Sequence, residues 1–262
     1  MMPSNPRPSR KGPRRRRLDE ELVVQGFFED AGEAMRSVMA GEVCTTNRRM
    51  ERPGEQVRPG IELFVRGHDR FVSRGGIKLE HGLRTFGLDV DGMSCLDVGA
   101  SSGGFTDCLL RHGAAHVHAV DVGYAQFDWK LRQDERVTLM ERTNVVDLPQ
   151  RLPNTQFDLA VCDVSFTSVL TILPAVRAML APGGRFLTLV KPQFEAARED
   201  VGEGGIVRSE SVRHAVLERV RAGMEESGFC VEGECESPIR GKKGNKEFLM
   251  LGSLFGTLEQ RS

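Results

Sequence analysis

From Ser94 onward, short apolar runs alternate with amphipathic stretches at helical spacing, and this alternation restricts the possible fold more than any other feature of the chain. Residues 94–98, 117–122, 137–142, 157–163 and 184–190 read as strands, with helices predicted over 105–112, 126–133, 170–180 and 211–227. A further helix over 76–86 precedes the first strand. Strands separated by helices predict a parallel sheet with crossover connections, an α/β fold. Two last strands, 229–236 and 247–251, are divided by a Gly/Lys turn with no helix between them, so they are expected to pair as a hairpin at the edge of the sheet.

Upstream the texture differs. Leu18, Leu22, Val23, Phe27 and Phe28 form one apolar stripe, and Ala34, Val38 and Met39 form another that ends at Gly41, a helix-stop glycine. Short strand pieces follow at Val43 and around Val57, Ile61, Leu63 and Phe64, among the turn residues Asn47, Pro53, Gly54, Pro59 and Gly60. The chain therefore divides into a basic arm (1–16), a small α+β module (17–65), a linker (66–72), an α/β domain (73–255) and a tail (256–262).

Net charge over the 262 residues is -1, but its distribution is uneven. Seven basic residues and no acid precede Leu18, leaving a body of -8. With Pro3, Pro6, Pro8 and Pro13 interleaved and little apolar surface to bury, the arm is expected to be disordered. It is either a phosphate-seeking arm or a plain solvated tail. The six cysteines form no CxxC pair and read as reduced core thiols. No secretory leader and no run of 18 apolar residues is present, so a cytoplasmic protein is expected, neither secreted nor membrane-spanning.

The strongest local signal is Cys95-Leu96-Asp97-Val98-Gly99-Ala100-Ser101-Ser102-Gly103-Gly104-Phe105, a strand that runs into a glycine-rich turn and then a helix. Such a turn lets a ligand approach the backbone, and the helix start offers free N–H donors. The spacing departs from the GxGxxG dinucleotide fingerprint. Asp121, at the end of the next strand, can accept hydrogen bonds from two ribose hydroxyls, a pairing suited to an adenosyl group. Asp121, Asn144, Asp163 and Lys191 all fall at or just past strand ends, where open α/β sheets bind ligands.

Seven segments then carry a resemblance: Ser73–Leu79, Asp97–Phe105, Asp121–Tyr124, Glu141–Asn144, Asp163–Phe166, Val190–Glu195 and Gly244–Phe248. In order along the chain, they resemble the TlyA family of ribosomal RNA 2'-O-methyltransferases, whose catalytic half is similar to the wider FtsJ-like group. The resemblance implies a Rossmann-like, seven-stranded class I methyltransferase sheet with an antiparallel last strand. It also implies an N-terminal alpha-L RNA-binding module, S-adenosylmethionine as cofactor, and ribosomal RNA, at a cytidine ribose, as substrate. The module departs from the family pattern at Asp30-Ala31, where a Ser-Arg pair is usual, and at Thr45-Thr46-Asn47.

The catalytic set implied by the resemblance is Lys78, Asp163, Lys191 and Glu247. Methyl transfer to a ribose hydroxyl needs an aligned oxygen and a base for its proton. A free lysine, with a pKa of about 10.4, is only about 0.04% neutral at pH 7, and a shift to about 8 would raise that to about 10%. Lys191 is expected to be the base, oriented by Asp163, with Lys78 as a nearby cation and Glu247 fixing Lys78 or the ribose. Ser101, Gly103, Gly104 and Phe105 are expected to face the methionine part of the cofactor, with Gly99, Ala100 and Asp163 also touching the cofactor. Asp121 is expected to take the ribose, and Val122 and Asn144 the adenine. Arg17, Arg48, Arg49, Arg74, Lys242 and Lys243 are the expected RNA contacts.

His112, His116 and His118 lie close in sequence but lack a further ligand at metal spacing, so no metal is expected. One Trp and one Tyr leave little material for an aromatic stacking platform. A monomer that meets ribosomal RNA and no membrane is the expected state. A membrane-active haemolysin and a non-catalytic ribosome-assembly factor are the two competing readings.

Overall fold

The computed structural model describes residues 15–254 except 26, 46, 47, 62, 68, 69 and 242. Most of the basic arm, the tail from residue 255, and Lys242 thus lie outside the described residues. The chain divides into two compact units, residues 1–70 and 71–262.

In the first unit, helices α1 (Leu18–Val24) and α2 (Ala31–Met39) accompany two small antiparallel ladders. Strand β1 (Arg16–Arg17) pairs with β3 (Gln56–Val57), and β2 (Val43–Cys44) pairs with β4 (Phe64–Val65). Arg16 therefore belongs to a strand, not to the arm in which the sequence reading placed it. Asp30 caps α2 by accepting from the Gly32 and Glu33 amides, satisfying two of the free donors at a helix start. Leu18, Leu22, Phe27, Phe28, Ala34 and Val38 are buried together with Val43, Met50 and Val57. Met39, read as part of the second stripe, is exposed.

The second unit is a seven-stranded Rossmann-like sheet. Strands β5 (Ser94–Val98), β6 (His116–Val120), β7 (Val137–Met140), β8 (Phe157–Cys162) and β9 (Leu180–Val190) are parallel. Strands β10 (Phe229–Glu236) and β11 (Phe248–Leu254) form the expected antiparallel hairpin. Sheet order is β10-β11-β9-β8-β5-β6-β7, so β11 lies between β10 and β9, antiparallel to both. The hairpin thus lies at one edge of the sheet, as read from the sequence, with β10 outermost.

Successive residues of β5 face opposite ways. Leu96 and Val98 pack with Leu148, Leu173, Val176, Val220 and Met224, from α6 (Leu148–Arg151), α7 (Leu173–Met179) and α9 (Glu210–Glu226). Cys95 packs on the other face with Leu79 and Leu83 of α3 (Gly75–Phe86) and Leu109 of α4 (Gly104–Arg111). Burial of both faces is why these strands read as nearly unbroken apolar runs. The helix expected over 126–133 is only α5 (Trp129–Arg132), because Asp128 caps it at the Lys130 and Leu131 amides. Cys95, Cys108 and Cys162 are buried as expected, but Cys230 is exposed and Cys44 and Cys235 are half-buried. No described helix is long and apolar enough to cross a membrane.

Candidate active site

The carboxyl edge of the sheet is built by its turns. After Val98 the chain reverses through Gly99, at φ 82°, a conformation that L side chains rarely adopt. A Cβ there would sit 3.1 Å from the Asp163 carbonyl oxygen, so the turns after β5 and β8 touch backbone to backbone. The Ser101 amide donates to Asp121 Oδ2 at 2.7 Å and the Gly123 amide to Oδ1 at 2.6 Å. Asp121 thereby ties the glycine turn to the end of β6. At Gly104 a Cβ would overlap Ser73 Oγ, so the start of α4 abuts the segment that opens α3. Asp97 lies fully buried beneath the turn and accepts from Thr106 Oγ1 at 2.6 Å. Burial pushes its carboxyl up to about 7, helped by the nearby Asp163 and Asp121 charges and opposed by the Thr106 bond.

Two ion pairs line the cavity beside this turn, which encloses about 470 Å³. Lys191, directly after β9, pairs with Asp163, directly after β8. Its Nζ also donates to the Val164 carbonyl and to Ser165 Oγ, each at 2.9 Å. Lys78, on α3, donates to Glu247 Oε2 at 2.5 Å. Lys78 is 8% exposed and Glu247 3%. The insertion of β11 explains this second pair. Because β11 runs antiparallel, its start lies at the edge where the parallel strands end, and the pairing of Phe248 with Val190 sets Glu247 beside Lys191 in register.

The cavity brings together Lys78, Asp163, Lys191 and Glu247 with Gly99, Ala100, Ser101, Gly104 and Phe105, and with Arg74 and Lys243. Gly103, the αL cap of α4, does not line it, and neither do Asp121, Val122 or Asn144. Val122 and Asn144 are exposed, and the Asn144 side chain accepts from the Val146 amide at 3.2 Å. In the first unit, Arg17 is paired with Asp19 at 2.6 Å and Arg48 with Glu55, while Arg49 Nε donates to the Gly41 carbonyl at 2.5 Å. Those three cations are thus each engaged within their own unit. Arg74, by contrast, is exposed and makes no ion pair among the described residues. His116 and His118 stand edge to face at 4.9 Å on β6, and His116 Nε2 bonds Thr138 Oγ1 at 2.8 Å. Among the described residues no group of three or more metal-ligating side chains is present.

Several residues of the site escaped the sequence reading. Phe166 is 91% exposed, holds φ 63°, and stacks at a tilt on Phe194 with centroids 5.1 Å apart, both rings lining the cavity. Phenylalanine thus supplies the aromatic faces at the cavity, where the sequence expectation had rested on the single Trp and Tyr. Glu195 is buried and accepts from Ser168 Oγ at 2.6 Å and the Val169 amide at 2.7 Å, anchoring the far end of the loop that carries Phe166. Gln193 Oε1 is a buried acceptor in the cavity wall without a hydrogen-bond partner among the described residues.

A Rossmann-like sheet with an antiparallel strand inserted before its edge, carrying a glycine turn and paired lysines and carboxylates at its carboxyl edge, defines a methyltransferase-type site. Residues 71–253 match the family model described as FtsJ-like methyltransferase. The chain is 46% identical to "Putative rRNA methyltransferase YqxC" of Bacillus subtilis, over 90% of this chain and 85% of that one. It is 39% identical to "16S/23S rRNA (cytidine-2'-O)-methyltransferase TlyA" of Mycobacterium tuberculosis, over 90% and 89%. A solved structure described as "Putative hemolysin from Streptococcus thermophilus" superposes with a TM-score of 0.71 at 46% identity, covering 93% of this chain and 90% of that one. The chain belongs to the TlyA family of FtsJ-like rRNA 2'-O-methyltransferases, within which both the methyltransferase and the hemolysin names occur.

Proposed function

We propose that the second unit transfers a methyl group from S-adenosylmethionine to a ribose 2'-hydroxyl of ribosomal RNA, at a cytidine, with Lys191 as general base. One observation carries this reading: two lysine–carboxylate pairs, Lys191–Asp163 and Lys78–Glu247, share one cavity with the glycine turn Gly99–Ser102. The residues fit the cofactor. Gln193 Oε1 is an acceptor in need of a donor, and Asp121 retains lone pairs beyond those taken by Ser101 and Gly123. Gly99 to Phe105, Asp163 and Gln193 would hold the methionine part, Asp121 the ribose, and Val122 and Asn144 the adenine. When bound, the cofactor supplies an electrophilic methyl on a sulfonium.

The chain's own residues do the rest. Three oxygens, from Asp163, Val164 and Ser165, hold Lys191 Nζ in place. As a neutral amine it would donate to two of these oxygens and keep its one lone pair free for the ribose hydroxyl. Nζ then takes the hydroxyl proton as the ribose oxygen becomes a nucleophile. Lys78, fixed by Glu247, supplies positive charge near that oxygen in a largely dehydrated setting. Phe166 offers a face on which the base of the target nucleotide can stack. Arg74 and Lys243 at the cavity would grip flanking phosphates. The first unit is proposed as the alpha-L-type RNA-binding module.

The test is incubation of the purified protein with methyl-labelled cofactor and each ribosomal subunit lacking the modification, followed by nuclease digestion and mass spectrometry. A 2'-O-methylated cytidine is expected. Label on a base, or no label in either subunit, would contradict the proposal.

A further inference from the structure

Two segments wall the catalytic cavity on the β11 side, and their residues alternate in the direction they serve. Gly205, Gly241, Lys243, Asn245 and Glu247 line the catalytic cavity, whereas Ile206, Val207, Arg208, Arg240, Gly244 and Lys246 line a second one of about 400 Å³, together with Arg213. The two segments are clasped by Asn245, which is 2% exposed: its Oδ1 accepts from the Val207 amide at 2.9 Å and its Nδ2 donates to the Gly205 carbonyl at 2.8 Å. The clasp is thus one wall with two faces.

The second face is strongly basic. Four of its seven lining residues are cations and none is a carboxylate. Arg213 is held by the Val207 and Arg208 carbonyls at 3.0 and 2.9 Å and is paired with Glu210 at 2.9 Å, while Lys246 is paired with Glu236 at 3.0 Å. Arg208 and Arg240 are exposed and make no ion pair among the described residues. Two guanidinium groups without an ion pair among the described residues, that of Arg240 donating to the Gly244 carbonyl at 3.2 Å, beside two pre-placed cations suit a phosphate, whose oxygens accept the fork of an arginine.

We propose that this second cavity seats a backbone phosphodiester of the same RNA whose ribose enters the catalytic cavity, and that it fixes the strand through the Asn245 clasp. The inference rests on the methyl-transfer reading above and adds to it an anchoring point beyond the reacting nucleotide. An RNA phosphate is favoured over a free one because the opposite face of the wall carries Glu247 and Lys243 of the catalytic cavity. Occupancy here thereby bears on where the substrate sits.

The experiment compares the full-length wild type with Arg208→Ala/Arg240→Ala and with Arg208→Ala alone, where the Arg208 side chain makes no hydrogen bond among the described residues. Arg221→Ala serves as a control for general charge loss, since Arg221 pairs with Glu234 outside the cavity. Steady-state methylation of unmodified ribosomal subunits, filter binding of ribosomal RNA across a salt series, and calorimetric cofactor binding are the readouts. The double variant is expected to raise the KM for RNA about tenfold and to flatten the log–log salt slope by about 1, with cofactor affinity unchanged. Arg221→Ala is expected to match wild type. A double variant whose KM and salt slope equal those of wild type or of Arg221→Ala would overturn the proposal. So would inorganic phosphate that raises the melting temperature of wild type but not of the double variant while RNA binding is equal in both, since the cavity would then hold a free anion. Wild type that binds RNA with the steeper slope but transfers no methyl would instead count against the methyl-transfer reading alone.

Discussion

Replacing Glu247 by Gln probes the Lys78–Glu247 pair, which joins α3 to the inserted strand across 169 positions of sequence. Both partners are almost wholly buried, at 8% and 3% exposure, and their atoms meet at 2.5 Å. Removing one member of such a pair leaves an uncompensated ammonium, which typically costs about 3–5 kcal/mol. Here the glutamine oxygen can still accept from Lys78 and the cavity admits water, so the expected loss is about 2–3 kcal/mol. Lys78→Met/Glu247→Leu removes both charges and is expected to recover most of that loss, since a matched apolar pair is often neutral relative to a buried ion pair. If Lys78 stabilises the reacting oxygen, methyl transfer nevertheless falls by about a hundredfold or more in the double variant, which lacks that charge. Urea unfolding gives the stability, and single-turnover transfer to ribosomal RNA gives the rate. A stable double variant with wild-type turnover would refute the catalytic role and leave the pair purely structural. An unaltered urea midpoint in Glu247→Gln would refute the burial argument itself.

Two further outcomes follow from the site. Asp97, with its carboxyl raised to about 7, keeps its proton to higher pH in the folded than in the unfolded chain. Its contribution is therefore complete below about pH 4, is lost as pH rises toward 7, and is level above that. Between pH 5 and pH 8 wild type should lose about 2–3 kcal/mol more than Asp97→Asn in parallel urea titrations, and equal losses would contradict the assignment. Phe166→Ala, at a 91% exposed position, should leave the melting temperature within about a degree while raising the KM for RNA about tenfold, a value within the range for one base stacked on an aromatic ring. An unaltered KM would remove the stacking role.

What could be read from the sequence was what is local. The turn from Cys95 to Phe105, the strand ends at Asp121, Asp163 and Lys191, and the hairpin partner of β10 all follow from patterns spanning a few residues. The position of β11 within the sheet does not, because a hairpin pattern says which strands pair and not which of them a third strand will flank. For the same reason spacing alone could not join Lys78 to Glu247; that set came with the family resemblance. Charge pattern marked Arg17 and Arg48 as phosphate contacts but could not show that Asp19 and Glu55 already hold them. Phe166 was missed because its exposure depends on a left-handed backbone and on the anchoring of its loop through Glu195, neither of which a single Phe between Ser165 and Thr167 announces.

Lys191→Met tests the central claim most directly. Cofactor affinity by calorimetry and 2'-O-methylcytidine formation in ribosomal RNA are measured on the same preparation. A variant that binds S-adenosylmethionine within about threefold of wild type while its transfer rate drops by about 10²–10⁴ is the predicted result, the range for a lost general base. Undiminished transfer by that variant would contradict the assignment of Lys191 as the base.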